Sequence, residues 1–247
     1  MRTDFEKSQC NEGGVILAKY RWIARAMFGG CIAFSYLAYC LGLSSDNDVC
    51  RAMVNNVFLA YLPVEMSFHV SWKRHAFAFW GMFIAWLLFY PNAPYVLTDY
   101  FHLAHIDPYV TKEGGKTIRI VRPDLRLWLT FTVISSSAMV SAILGTWSLD
   151  HVAGHLQARI RRHGAVWLVL IVTALAALSS VGIYLGRFPR IHSFHLLTSP
   201  RHVFGKMATS CSLNMLEFVI LLTLIQLVIW GCLRLLRKAS QANPRTD

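Results

Sequence analysis

Long apolar blocks separated by short polar segments dominate this chain of 247 residues. A helix needs roughly 20 apolar residues to span a bilayer. Six blocks approach or exceed that length, and they cover approximately residues 23–43, 51–70, 75–90, 125–149, 165–187 and 213–233. Because lipid satisfies no backbone hydrogen bonds, each block is expected to cross as a helix. The pattern predicts an all-α fold, a polytopic integral membrane bundle of about six transmembrane helices.

Polar segments flank one predicted membrane domain, which covers residues 23–235. Residues 1–22 show no signal-peptide pattern and no cleavage site follows the first apolar block, so that block is interpreted as a retained span. Residues 1–22 form its N-terminal tail, which the charge distribution described below predicts to be cytoplasmic. Residues 236–247 are typical of a disordered tail. The longest internal loop covers residues 106–124, where "YVT" and "TIRIV" flank a Gly-Gly pair and predict a small hairpin.

Composition supports lipid as the solvent of this chain. Charged residues make up 15% of the sequence, against about 25% in a typical soluble domain. The net charge of +11 would favour nucleic-acid binding in a soluble protein. Here the basic residues lie next to the apolar blocks, so we predict the lipid bilayer as a partner and no nucleic acid.

The basic residues also predict the orientation of the chain. The two terminal segments and the loops on the same side hold 14 of the 24 lysines and arginines, and the alternate loops hold 10. Loops rich in lysine and arginine stay in the cytoplasm. Both termini are therefore predicted to be cytoplasmic.

The third apolar block ends in an unusual way. Its 16 residues, "HAFAFWGMFIAWLLFY", give a helix of about 24 Å, shorter than the hydrocarbon layer of about 30 Å. Pro91 and Pro94 follow directly and disfavour helix at Tyr90 and Ala93. Broken helices of this kind line substrate sites in transporters. An ordinary helix end with a proline stop is the alternative.

Titratable residues follow these prolines at regular spacing. If helix resumes near Tyr95, then Asp99, His102 and His105 lie within an arc of about 120°. An acid and two imidazoles on one face suit proton relay, metal binding or the capping of a loop. Charged groups near membrane depth are functional candidates.

The predicted topology brings polar residues from distant blocks to the outer end of the bundle. The candidate ligand-binding residues there are Asn55, Asn92, Thr98, Asp99, His102, Tyr184, Arg187 and Glu217. Arg187 is expected to pair with Asp99 or to receive an anionic group, since guanidinium binds carboxylate and phosphate in a bidentate manner. The inner half is expected to be less polar, with Glu65 and its intrahelical neighbour His69 as the main exception.

Small residues recur at four-residue spacing in two blocks. Ser137, Ser141 and Gly145 form one such stripe, and Gly182 and Gly186 form the other. Such stripes let helix backbones approach closely in lipid. We therefore expect both blocks to make close packing contacts.

Metal and disulfide sites receive weaker support from the residues. Asp99, His102, His105, His192 and His195 would suit zinc, but the ten histidines divide evenly between the two sides of the membrane. We predict no metal and no cofactor. Cys50 and Cys211 both precede helices that start at the outer face, so they are either a disulfide pair or two unrelated thiols.

Three stretches resemble the signature segments of a known family. They are "NNVFLAYLP" at 55–63, "LLFYPNAPYVLTDYFHL" at 87–103 and "SSVGIYLGRFPR" at 179–190. By these motifs the chain resembles the bacterial membrane-protein family called domain of unknown function 1361. The resemblance implies a polytopic protein of the bacterial inner membrane, and the family has no assigned activity. The run from Arg190 to His195 departs from the family pattern.

Three functions are consistent with these features. The first is binding or transport of a small polar or anionic group, for example a lipid headgroup, in an outward-facing polar pocket. The second is a structural or assembly subunit without a ligand. The third is an outer-face enzyme acting on a lipid-linked substrate, with Asp99 or His102 as general base and Arg187 as electrostatic clamp. No nucleophile motif, phosphate loop or dinucleotide fingerprint supports an enzyme.

Overall fold

Helices form nearly all of the structure. The computed structural model describes residues 4–71, 74–105, 109–112, 118–121, 123–162, 164–188 and 212–242. In chain order its elements are α1 Asp4–Cys40, α2 Asn47–Ser67, α3 Ala76–Phe89, α4 Asn92–Tyr95, a 3₁₀ helix Val96–His105, β1 Tyr109–Lys112, β2 Ile118–Val121, α5 Leu125–Arg159, α6 Ala165–Arg187 and α7 Leu213–Ala242.

Five helical segments in the described part of the chain are long and apolar enough to cross a membrane. They are Ala18–Cys40, Ala76–Ala104, Leu125–Arg159, Ala165–Arg187 and Leu213–Ala242. The sixth helix, α2, has 21 residues and a length of about 32 Å. It is more polar than the five spans because it carries Asp48, Arg51 and Glu65. It packs against α1 and α5. The predicted polytopic helical bundle is confirmed.

Several helices continue beyond their predicted bounds. α1 begins at Asp4, inside the predicted N-terminal tail, and α5 continues to Arg159, ten residues past the apolar block. α7 continues to Ala242. The prediction of a disordered tail from residue 236 is therefore wrong for residues 236–242. The added α7 residues are mostly good helix formers such as Leu, Arg, Lys and Ala.

The predicted hairpin between α4 and α5 is present. β1 pairs with β2 in antiparallel register, and Tyr109 lies opposite Val121. This confirms the extended runs on both sides of the Gly-Gly pair.

α5 lies at the centre of the bundle and packs against α1, α2, α6 and α7. One buried apolar cluster joins it to α1 and α2 and includes Phe28, Met53 and Ile134. A second joins it to α3 and α6 and includes Trp86 and Val172. The two clusters fix α3 and α6 on one side of α5, and α1 and α2 on the other.

Two predicted small residues allow close contacts at the α3–α4 junction. A Cβ added at Gly145 of α5 would lie 2.6 Å from Ala93 Cβ, and one at Gly182 of α6 would lie 2.9 Å from Pro91 Cγ. The predicted close approach is therefore present at both glycines. Gly186 has open space around it, so Gly182 alone of the two α6 glycines makes a close contact among the described residues.

A buried polar network joins α3, α6 and α7 within the bundle. Tyr90 Oη donates to Gln226 Oε1 at 3.0 Å. Gln226 Nε2 donates to Ser180 Oγ at 3.0 Å and to the Ala176 carbonyl at 3.3 Å. Thr223 Oγ1 donates to Ser180 Oγ at 3.1 Å. These side chains satisfy one another where lipid would satisfy none of them.

Candidate functional site

Asp99 lies in the 3₁₀ helix that follows α4. α3 ends at Phe89 because Pro91 has no backbone N–H to continue the ladder. The backbone nevertheless stays helical, since Pro91 has φ −54° and ψ −26°, and α4 follows directly. The sequence left open whether helix resumes near Tyr95, and it resumes as a 3₁₀ helix. Three residues per turn place Asp99 and His102 on the same edge.

The Asp99 carboxylate is fully buried and has three polar neighbours. Its Oδ2 accepts a hydrogen bond from Asn56 Nδ2 of α2 at 2.8 Å, and its Oδ1 accepts one from Arg187 Nη1 of α6 at 3.1 Å. His102 Nε2 lies 3.7 Å from Oδ1. A buried carboxylate needs both an opposite charge and hydrogen bonds to offset its desolvation. The expected contact between Asp99 and Arg187 is present, and it ties α2, α6 and the 3₁₀ helix together.

Arg187 is the last residue of α6, where the helix dipole favours a positive charge. Its Nη1 also donates to Tyr95 Oη at 3.1 Å, and its Nη2 donates to the Thr98 carbonyl at 3.1 Å. The guanidinium carbon lies 5.5 Å from the centre of the Tyr95 ring. Its Nε proton and one Nη2 proton have no acceptor among the residues that the structure describes.

We call Asn56, Tyr95, Thr98, Asp99, His102 and Arg187 the Asp99 cluster. Two of its side chains reach the surface: His102 is 35% exposed and Arg187 is 22% exposed. The carboxylate between them is not exposed. The cluster therefore presents a guanidinium and an imidazole at its exposed edge, above a buried carboxylate.

Four of the predicted site residues meet in this cluster: Thr98, Asp99, His102 and Arg187. Thr98 contributes through its carbonyl, while its Oγ1 donates to the Tyr95 carbonyl at 2.7 Å. These contacts bring together residues that are about 90 positions apart in the chain.

The other four predicted residues lie elsewhere. Asn55 is exposed, because it faces away from the buried stripe of α2. Asn92 Nδ2 donates to the Phe89 carbonyl at 2.9 Å and so caps the end of α3. Glu217, near the start of α7, is also exposed. Among the described residues, no hydrogen bond or ion pair joins these three to Asp99 or Arg187, so their part in a binding site stays a prediction.

Tyr184, the fourth, packs in an aromatic group. Its ring centre lies 4.7 Å from that of Phe188 and 5.6 Å from that of Phe218. These contacts place the Tyr184 ring against α7, and no hydrogen bond among the described residues joins it to Asp99 or Arg187.

Asn56 was not among the candidate ligand-binding residues, although its sequence position carries a signal. Met53, Val57 and Ala60 form the buried stripe of α2. At 100° per residue, Asn56 lies about 60° from Met53 around the helix, whereas Asn55 lies about 160° away. Helical rotation therefore distinguishes the two asparagines, while their depth does not.

The opposite end of α2 carries a second ionic cluster. Glu65 accepts hydrogen bonds from Arg21 and from Arg25, whose Nη2 lies 2.6 Å from Oε1. Tyr61 Oη donates to Glu65 Oε2 at 2.8 Å. The expected pairing of Glu65 with His69 is wrong. α1 packs on this face of α2, and its two arginines bind the carboxylate instead. His69 Nε2 lies 3.0 Å from Arg21 Nη2.

A third ionic cluster surrounds Asp150 of α5, which the sequence prediction missed. Its Oδ1 accepts from Trp230 Nε1 at 2.8 Å and from Arg234 Nε at 3.1 Å, and Arg237 binds its Oδ2. The predicted apolar block ended one residue before Asp150, so this acid was counted as part of a loop. With Glu65, it shows that the end of the bundle predicted to be less polar holds two ionic clusters.

The metal and disulfide hypotheses fall partly outside the described residues. His192, His195, Cys211 and the side chain of His105 lie there. Among the described residues, no group of three or more His, Cys, Asp or Glu side chains is arranged to hold a metal ion. Cys50 is a buried free thiol.

Comparison with known proteins assigns the family. The family model described as Protein of unknown function (DUF1361) matches residues 55–229. That range begins within α2 and ends near the middle of α7, and it covers more than half of the chain, so the chain belongs to this family. No curated protein and no solved structure matches the chain.

Proposed function

We propose that this DUF1361 member is a multi-pass protein of the bacterial inner membrane, and that it binds a small polar or anionic group, such as a lipid headgroup, at the Asp99 cluster. The distribution of lysine and arginine supports cytoplasmic termini, which would place the cluster toward the outer face. Burying charged side chains inside a membrane domain costs free energy, so a charged pair found there is a candidate functional site.

The observation that carries this proposal is the state of Arg187. Its guanidinium is partly exposed and keeps two donor protons without an acceptor among the described residues. Asp99 and Tyr95 hold it in one orientation, so little side-chain entropy would be lost when an anion binds. Guanidinium N–H donors suit a phosphate or carboxylate. His102 would supply a further polar contact at the edge.

The contacts of Asp99 favour a second candidate, a structural role without a ligand. Each of its two oxygens accepts a hydrogen bond from a different helix, so the carboxylate joins α2 and α6 to the 3₁₀ helix. The burial of Asp99 also makes it a poor general base, because its carboxylate is not exposed to a substrate. An enzyme acting through Asp99 is therefore the least supported of the three hypotheses.

Substitution of the ion pair separates binding from structure. The full-length chain would be purified as wild type and as Asp99→Asn, Arg187→Gln and the double variant. Thermal unfolding would be measured with and without inorganic phosphate and with a short-chain phospholipid. Arg51→Gln is the matched control, since Arg51 is an exposed cation of α2 outside the cluster.

A binding site predicts that Arg187→Gln stays folded and loses the ligand-induced rise in unfolding temperature, while Arg51→Gln keeps it. A purely structural pair predicts equal losses of stability in the two single variants, little further loss in the double variant, and no ligand effect in wild type. The absence of any ligand-induced shift in wild type would reject the binding proposal.

A further inference from the structure

A cavity of about 1040 Å³ lies beside the C-terminal half of α5. Its walls come from α1, α5 and α7, together with Phe68 just after α2. α1 and α7 each pack on α5, but little direct packing joins α1 to α7. The cavity is therefore the gap between these two helices, with α5 as its floor. Its volume reaches the upper end of the range for ligand-binding pockets.

The lining of the cavity changes character along the axis of α5. Ile143, Leu144 and Trp147 form an apolar part, and Asp150, His151 and His155 follow toward the end of the helix. From residue 143 to residue 155 the axis advances by about 18 Å. An apolar region below a polar rim has the same order as the acyl chain and headgroup of a lipid.

Two arginines from α7 form the charged part of the rim. Asp150 is buried and holds both Arg234 and Arg237, whose side chains remain 37% and 43% exposed. Arg234 is fixed further by its position over the Trp230 ring, 5.2 Å from the ring centre. One carboxylate and two guanidinium groups leave a formal charge of +1. Each arginine also keeps donors without an acceptor among the described residues.

The aromatic wall beside the arginines is ordered as well. The His151 ring stacks on Trp147 with 5.3 Å between ring centres and an interplanar angle of 12°. The apolar part of the cavity is continuous with the lipid-facing surface, because Ile23 and Ile143 line the cavity and are also among the exposed hydrophobic residues. A ligand with an acyl chain could enter sideways from the bilayer without crossing a polar barrier.

From these features we infer that the cavity binds one anionic phospholipid. Its phosphate lies against Arg234 and Arg237, and an acyl chain lies along Ile143 and Leu144. Guanidinium groups bind phosphate oxygens in a bidentate manner, and basic pockets between transmembrane helices are suited to anionic lipid headgroups. This site is separate from the Asp99 cluster, so it does not depend on the function proposed there.

Native mass spectrometry of the full-length chain tests the charge part of this inference. The protein would be released from nanodiscs containing equal amounts of phosphatidylglycerol and phosphatidylcholine with the same acyl chains. We expect one retained phosphatidylglycerol and at least about tenfold less phosphatidylcholine. Both lipids carry a phosphate that the arginines can bind, but the choline cation of the second cancels its charge and is repelled by the two guanidinium groups. Equal retention of the two lipids would overturn the proposal.

A triple variant removes the ionic cluster without leaving a buried charge unpaired. Asp150→Asn, Arg234→Gln and Arg237→Gln together lower the net charge by one, as does the control Lys238→Gln on the same helix. We expect the triple variant to retain about tenfold less phosphatidylglycerol than wild type, and the control to match wild type. Equal loss in the control would show general surface attraction and would contradict a defined site.

A steric variant tests the cavity without changing charge. Gly154 lines the cavity, and a Cβ at this position would have open space around it. Gly154→Leu would fill the site, whereas Gly81→Leu on the exposed face of α3 makes the same change outside it. We expect lipid retention to fall about tenfold in the first variant and to stay unchanged in the second. Unchanged retention in Gly154→Leu would overturn the proposal even if the triple variant lost lipid.

The source of the phosphate is tested by competition. Glycerol phosphate has the anionic group but lacks acyl chains, so it should displace the retained lipid only at a large excess. Displacement at equimolar concentration would show that the cavity recognises a soluble anion, and the lipid assignment would be rejected.

Discussion

At the scale of single residues, the Asp99 cluster depends on which side of a helix a polar group faces. Asn55 and Asn56 are chemically identical neighbours, yet Asn56 donates to the buried Asp99 and Asn55 is exposed. A hydrogen bond to a buried charged group contributes more to stability than one at the surface. If the donor is removed, water does not reach the carboxylate to replace it. The two asparagines therefore form a natural matched pair.

Asn56→Ala is expected to lower the free energy of unfolding by about 1–2 kcal/mol, since it leaves Asp99 Oδ2 without its donor. Asn55→Ala should change it by less than about 0.5 kcal/mol, as is usual for an exposed position. Both free energies are measured by unfolding the purified chain in mixed micelles that contain an increasing fraction of denaturing detergent. Equal effects from the two variants would mean that the Asn56–Asp99 bond contributes no net stability.

The sequence predicted part of this cluster, for reasons that the residues make clear. Topology and the family motifs brought Asp99 and Arg187 to the same membrane level, and their contact follows from opposite charge. Depth alone did not separate Asn55 from Asn56 or place Tyr184, because those outcomes depend on helix rotation. Asp150 was missed because hydropathy marks only the apolar part of a helix. α5 continues ten residues beyond that part, and Asp150 lies in the continuation.

At the scale of elements, the segment from α3 to the 3₁₀ helix is held by two glycines on its neighbours. Gly182 of α6 faces Pro91, and Gly145 of α5 faces Ala93, at distances that leave no room for a methyl group. The atoms they meet belong to a proline ring and an alanine methyl, which move only if the backbone moves. The apolar blocks predicted these helices, and the small-residue spacing predicted close contacts, but neither showed which partner each glycine meets.

Gly182→Ala should therefore destabilise the bundle, because the new Cβ would lie 2.9 Å from Pro91 Cγ. Overpacking costs about 1–3 kcal/mol, which exceeds the helix propensity gained by replacing glycine. Gly186→Ala, one turn further along the same helix, meets open space and should be neutral or slightly stabilising. Thermal unfolding of the two variants gives the comparison, and a stable Gly182→Ala protein would contradict the packing argument.

At the scale of the whole molecule, charge is concentrated in distinct clusters along the bundle. The Asp99 cluster joins α2, α6 and the 3₁₀ helix, whereas the clusters at Glu65 and Asp150 join α1 to α2 and α5 to α7. Between them lies a core of apolar side chains and small hydroxyl residues. Which cluster faces the cytoplasm follows from the orientation of the chain, and the excess of lysine and arginine predicts that the Glu65 and Asp150 clusters do.

Reporter fusions test this orientation. A fluorescent protein fused to the C-terminus should fold and emit, since that end is predicted to be cytoplasmic. Alkaline phosphatase inserted between β1 and β2 should be active, because three of the six predicted spans precede the hairpin and would place it on the side opposite to both ends. Active phosphatase at the C-terminus would invert the assignment and place the Asp99 cluster at the inner face.

The glutamine of α7 bears on the order in which the membrane protein is assembled. Gln226 bonds to Tyr90 of α3 and to Ser180 of α6, both of which precede it in synthesis. Inserted alone, α7 would expose this carboxamide to hydrocarbon, where it finds neither donor nor acceptor. Its integration is therefore coupled to earlier helices that are already paired, and a nascent chain with α3 or α6 misplaced would present an unsatisfied amide to membrane proteases.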